Sequence, residues 1–136
     1  MSYILLTGAG FSRNWGGWLA KELEGDLLAR LAAHPPIRRL VQSSRSYEHA
    51  LEQARNPQTS GVQFSGAQLA VLEEAIKQSF WAMNRVLAKR LAMRLNGKDS
   101  ILDFLAKFDA IFTLNQDLLL EFHYDAIRAG SPWRGT

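Results

Sequence analysis

The chain has 136 residues, 47% of them apolar and 21% charged, with a formal charge of +3. That balance fits one domain with a packed core, excludes a wholly disordered chain, and is too weakly basic to imply nucleic acid by itself. Apolar runs such as Ile4–Leu6 and Leu118–Leu120 fall far short of the ~20 residues that cross a bilayer, Met1-Ser2-Tyr3 opens no secretory leader, and the lack of cysteine excludes disulfides, thiolate metal sites and cysteine nucleophiles, so a cytoplasmic protein with no membrane association is expected.

Tyr3-Ile4-Leu5-Leu6-Thr7 is a continuous apolar run closed by glycine, which predicts a strand buried on both faces of a parallel sheet. Gly8-Ala9-Gly10 ends it. Trp18, Leu19, Leu23, Leu27, Leu28 and Leu31 recur at steps of three and four and predict a helix from about Trp15 or Gly17 to Ala33. Pro35-Pro36 is expected to stop that helix. Ser46 to Arg55 reads as a short helix with Ser46 as its N-cap, and Gln58 to Gly66 as a loop.

The longest regular segment runs from about Ala67 to Leu95, with Leu69, Leu72, Ile76, Phe80, Met83, Leu87, Leu91 and Leu95 in one stripe. Acidic residues at its start and basic ones toward its end (Lys77, Arg85, Lys89, Arg90, Arg94, Lys98) suit the helix dipole, and a solvated face is favoured there over nucleic-acid contact. Phe80, Trp81 and Met83 are expected in a core or an oligomer interface. Ser100 to Lys107 predicts a short helix, Asp109 to Leu114 a second strand, and Leu118 to Arg128 a final helix entered through Asn115-Gln116-Asp117.

The order strand, helices, strand, helix predicts an α/β chain: an incomplete parallel sheet carried by residues 1–34 and 108–136, with a large helical insertion over about 35–107. Two strands leave bare edges. The sheet is therefore expected to be finished by residues beyond Thr136 or by another chain, and a homo-oligomer or a partner protein is expected.

Two motifs point to chemistry. Thr7-Gly8-Ala9-Gly10-Phe11-Ser12 joins a strand to a helix, and its glycines permit a sharp turn and close backbone approach. Free N–H groups there favour a phosphate, and Ser12 adds a hydroxyl donor. The dinucleotide pattern G-x-G-x-x-G is met only at Gly8 and Gly10, because Arg13 takes the third place, and no Gly-Lys-Thr/Ser phosphate loop exists. A tight turn without a ligand is the plain alternative. The second motif, Thr113-Leu114-Asn115-Gln116-Asp117, follows the other strand. Parallel strands would put both motifs on the rim where open sheets bind ligands. Asn115 or Asp117 also reads as a simple helix cap. His123 reads as a partly exposed or core histidine, and His34 and His49 lie in the insertion. Glu48-His49-x-x-Glu52 is the nearest approach to a metal pattern, and no metal is expected. Trp15 and Trp18 either pack on the insertion or cover a ligand.

Gly8-Ala9-Gly10-Phe11-Ser12 after an apolar strand, then Thr113-x-Asn115-x-Asp117 followed by Leu118-Leu119-Leu120-Glu121, resembles the sirtuin-like domain, in particular the bacterial branch that hydrolyses NAD in antiphage defence. Tyr47-Glu48-x-x-Leu51-Glu52 is similar to an element of that branch. The resemblance, to the N-terminal portion of such a domain, implies a Rossmann-like fold and NAD or ADP-ribose as ligand. It implies that Gly8, Ala9, Gly10, Phe11 and Ser12 hold the diphosphate, that Asn115 is the catalytic asparagine by the nicotinamide ribose, and that Asp117 is a neighbouring polar contact. The chemistry implied is cleavage of the nicotinamide–ribose bond by an NAD glycohydrolase or a catalytically incomplete fragment of one. The family's histidine base is expected beyond Thr136. The chain lacks the deacetylases' four-cysteine zinc module and reads Asn14-Trp15-Gly16-Gly17-Trp18 where they have a different motif, so deacetylation is not implied. The alternative class is a non-catalytic helical protein that docks on a partner or on itself.

Overall fold

A computed structural model of the chain describes residues 2–56, 61, 63–94 and 104–122. It is helix-rich with a small parallel sheet, an α/β arrangement. The elements are β1 (Ile4–Thr7), α1 (Ala9–Arg13), α2 (Ala20–Arg30) running into a 3-10 turn (Leu31–Ala33), α3 (Pro35–Ser43), α4 (Tyr47–Arg55), α5 (Gly66–Arg94) and β2 (Ala110–Thr113). No described helix is long and apolar enough to cross a membrane. The chain divides into two compact units, one formed by Met1–Leu19 with Ala82–Thr136 and the other by Ala20–Trp81.

The sheet unit pairs β1 with β2 in parallel, Ile4 opposite Ala110 through Thr7 opposite Thr113. Asp109 N–H to the Tyr3 carbonyl (2.8 Å) and Leu114 N–H to the Thr7 carbonyl (3.0 Å) extend the ladder at both ends. The Asp109 carboxylate also accepts from Tyr3 N–H at 2.7 Å. The expectation of burial on both strand faces is corrected. Ile4, Leu6, Phe112 and Leu114 are 64, 64, 59 and 76% exposed. Strand alternation and the register put all four on one face, and none of the described residues covers it. The opposite face carries buried Thr7 and half-buried Leu5, Ile111 and Thr113. The unit's apolar burial comes instead from Met83, Leu87, Leu105, Leu119 and Leu120.

The chain between β1 and α2 also departs from expectation. Helix begins at once, at Ala9, and stops at Arg13. Gly16 then takes a left-handed φ of 94°. That turn lets Gly17 N–H return to the Ser12 carbonyl (2.9 Å), which also accepts from Trp15 N–H (3.0 Å). The second helix consequently starts at Ala20, later than the periodicity suggested.

The helical unit buries one side of each helix around Leu27, Leu31, Ile37, Val41, Ala50 and Leu72. Pro35 and Pro36 open α3 where the preceding helix was expected only to stop. Proline suits the first helical turn, since its missing N–H is one that has no intrahelical partner anyway. Ile37, Leu40 and Val41 repeat at three and four, a signal masked by the prolines. Ser46 caps α4 as expected, its hydroxyl accepting from His49 N–H at 3.3 Å. The α5 stripe is buried or half-buried from Leu69 through Leu87, whereas Trp81 faces outward at 57% exposure, contrary to a core position. Leu95, Lys98, residues 58–60 and 62 of the 58–66 loop and the 100–103 and 123–128 parts of the predicted helices lie outside the described residues.

Candidate functional site

Parallel strands run in the same direction, so the residues after Thr7 and after Thr113 leave the sheet at the same end. There Ser12 joins the two motifs. Its hydroxyl donates to Asp117 Oδ1 at 2.9 Å, and Asn115 Nδ2 donates to Ser12 Oγ at 2.8 Å. These bonds span 105 and 103 positions of sequence. Ser12 is 1% and Asp117 8% exposed, while Asn115 is half-buried. Burial of a polar group is costly unless it is bonded, and each member of this cluster is bonded.

Local chemistry fixes the second motif. Asn115 N–H donates to Thr113 Oγ1 at 3.0 Å, which curls the chain immediately after β2. Asp117 Oδ1 accepts from Leu119 N–H at 3.1 Å, and helix follows over 119–122. The capping alternative for Asp117 is therefore realised together with its bond to Ser12. Leu118 N–H donates to Asn84 Oδ1 of α5 at 3.0 Å, a support that spacing alone did not reveal. An asparagine within a regular helix was the available cue.

The first motif supplies space and one unsatisfied group. A Cβ built on Gly8 or Gly10 meets nothing within 4 Å. Gly8 is extended, at φ −133° and ψ −177°, and its carbonyl accepts from Phe11 N–H at 2.8 Å. Thr7 Oγ1, at the last residue of β1, is buried and has no hydrogen-bond partner. A ligand at this rim would have open backbone to approach at Gly8 and Gly10. Ser12 differs from expectation: its only hydroxyl proton goes to Asp117, so the hydroxyl is not an available donor to a phosphate. Phe11 packs against Trp15 and Phe104 in tilted pairs, with ring centres 5.3 and 6.2 Å away. Trp15 thus packs on the motif itself, and Trp18 is half-buried. Ala9 is the first residue of α1.

The other polar features lie elsewhere. Within the helical unit an open surface depression is lined by Arg30, His34, Glu74 and Gln78 among others. Arg30 is held by Asp26 at 2.6 Å. A hydrogen bond from Gln78 and the charge of Lys77 hold the Glu74 carboxyl below its ordinary pKa. His49 Nδ1 is buried without a partner, and His123 lies outside the described residues. Among the described residues no three His, Cys, Asp or Glu side chains converge on a metal position. No family model, curated protein or solved structure matches the chain, so its chemistry has to be read from the rim residues themselves.

Proposed function

We propose that the rim formed by Gly8–Ser12 and Asn115–Asp117 binds NAD in a Rossmann-like setting, and that the chain belongs to an NAD glycohydrolase of the antiphage-defence type whose base is none of the rim residues. The observation that carries this is Ser12, bonded at once to Asp117 and Asn115 across more than a hundred positions. It supports a single polar site shared by both motifs. Open backbone at Gly8 and Gly10 supports a ligand with a bulky group near the chain. Asn115 is the group that meets the nicotinamide ribose, and the buried Asp117 acts behind it. In the reaction the nicotinamide–C1′ bond breaks, nicotinamide leaves with the bonding pair, and water adds to C1′ with release of one proton. ADP-ribose is the other product. The residues near the ribose must tolerate an oxocarbenium-like charge, and Asn115 offers an uncharged amide there.

Calorimetric titration with NAD and with ADP-ribose tests the reading. Gly10→Val is the sharpest variant, because a Cβ there meets nothing in the protein and the fold should bear it. Valine would occupy the space the diphosphate needs, so affinity should fall about tenfold or more with little change in melting temperature. No response at millimolar ligand would contradict NAD binding, and unchanged affinity in Gly10→Val would remove the glycine motif from it.

A second reading has its own observation. Ile4, Leu6, Phe112 and Leu114 leave one sheet face apolar and open, which favours an interaction module. Sedimentation mass with and without candidate partners separates the two: a monomer that binds NAD supports the first, and a complex with no nucleotide response supports the second.

A further inference from the structure

The hydrogen bonds around Ser12 settle a question of direction. A hydroxyl has one proton and can accept through its lone pairs, a carboxylate only accepts, and a carboxamide has a donating and an accepting end. Asp117 Oδ1 takes the Ser12 proton at 2.9 Å and the Leu119 N–H at 3.1 Å. Ser12 Oγ can then only accept from its remaining neighbour. The end of the Asn115 carboxamide 2.8 Å away is therefore the NH2 end. The Asn115 main chain is held independently by its N–H on Thr113 Oγ1 at 3.0 Å.

We propose that Ser12 and Asp117 are positioning residues that lock the Asn115 carboxamide with its NH2 on Ser12 and its Oδ1 turned away, as a fixed acceptor for a ligand hydroxyl. Neither positioning residue needs to touch the ligand, since both are buried while Asn115 is half-buried. For the ligand's identity, a nucleotide ribose, this rests on the NAD reading above. The locked direction of the amide does not.

The predicted pattern across substitutions is unusual. Asp117→Asn keeps an acceptor oxygen that can serve both Ser12 and Leu119, so the lock survives. Asp117→Ala frees the Ser12 proton, which can then donate to Asn115 Oδ1 and let the amide reverse. Ser12→Ala removes the post altogether. Ser12→Thr is a poor control because Gly17 lies against Ser12; a Cβ on Gly17 would come within 2.6 Å of the Ser12 Cβ.

The experiment uses the full chain, labelled with nitrogen-15, and needs no ligand in its first arm. One Asn115 carboxamide proton should be shifted downfield and exchange about tenfold more slowly than its twin in wild type and Asp117→Asn. That difference should vanish in Asp117→Ala and Ser12→Ala. In the second arm, calorimetry compares NAD with analogues lacking the 2′- or 3′-hydroxyl of the nicotinamide ribose. Wild type and Asp117→Asn should prefer NAD over one of these by about tenfold, and Ser12→Ala should lose most of that preference. A merely structural defect would weaken all these ligands alike. Equivalent Asn115 protons in wild type overturn the proposal whether or not NAD binds, as does full ribose selectivity in a folded Ser12→Ala protein. Should the alanine variants not fold, loss of the slow proton in Asp117→Asn overturns it equally. The predicted proton pattern without any NAD binding supports the lock and sinks the NAD reading.

Discussion

In the helical unit, Leu31, Ala50 and Leu72 are wholly buried and the charged pairs Arg30–Asp26 and Arg55–Glu73 stand at the surface. In the sheet unit the distribution is reversed in part. Ile4, Leu6 and Phe112 face solvent, and the polar Ser12 and Asp117 are inside. The first arrangement is what apolar transfer alone would select. The second is not, because a buried serine and carboxylate stabilise a fold poorly compared with apolar groups of the same size. Polar residues kept inside, beside apolar residues left outside, mark a region shaped for something other than its own packing.

The contrast can be tested from its strongest side first. Leu72→Ala removes a fully buried side chain from the helical core and should cost about 2–5 kcal/mol in a urea melt. A loss well below 1 kcal/mol would mean that this core is less close-packed than its burial indicates. Gly17→Ala strikes the other unit: the new methyl would lie 2.6 Å from the Ser12 Cβ and 2.9 Å from the Ser12 carbonyl oxygen. Overpacking of this kind costs roughly 1–3 kcal/mol, and the Asn115 carboxamide signals should move with it. Intact signals would show that the cluster does not depend on the tight turn behind it.

Ser46→Ala is the smallest of the three, about 1 kcal/mol for a lost N-cap, read by thermal melting. Part of that loss should depend on pH. Burial tends to raise the Glu48 pKa, but hydrogen bonds from its own backbone, Ser46 and Tyr47 outweigh it and leave the carboxyl below its ordinary value. A depressed folded pKa adds stability that is present above the unfolded pKa and fades as pH falls through the folded one. The difference between wild type and Ser46→Ala should therefore narrow as the solution is acidified below the ordinary glutamate range. A constant difference down to pH 2 would remove Glu48 from the cap.

A regular apolar repeat exposed the long helix, the Ser46 cap exposed the helix after it, and the order of elements exposed the parallel strand pair. Periodicity missed α3, where Pro35-Pro36 reads as a stop although proline equally begins a helix. It misjudged β1, since Ile4-Leu5-Leu6 looks buried on both faces whatever covers them in space. At the rim, Ser12 reads as a phosphate donor and Asp117 as a helix cap or, by resemblance, a polar contact, with no link between them. Their mutual bond depends on how the chain returns after more than a hundred residues, which no local pattern encodes. The Asn84 support for Leu118 was hidden for the same reason.

A double-mutant cycle on Ser12→Ala and Asp117→Ala, followed by denaturant unfolding, tests most directly whether the two motifs form one site. Partners in a buried hydrogen-bond network should show a coupling of about 0.5–3 kcal/mol despite their separation of 105 positions in sequence. Losses that simply add, within about 0.3 kcal/mol, would mean that Ser12 and Asp117 do not meet in the folded protein, and that the rim is no shared site.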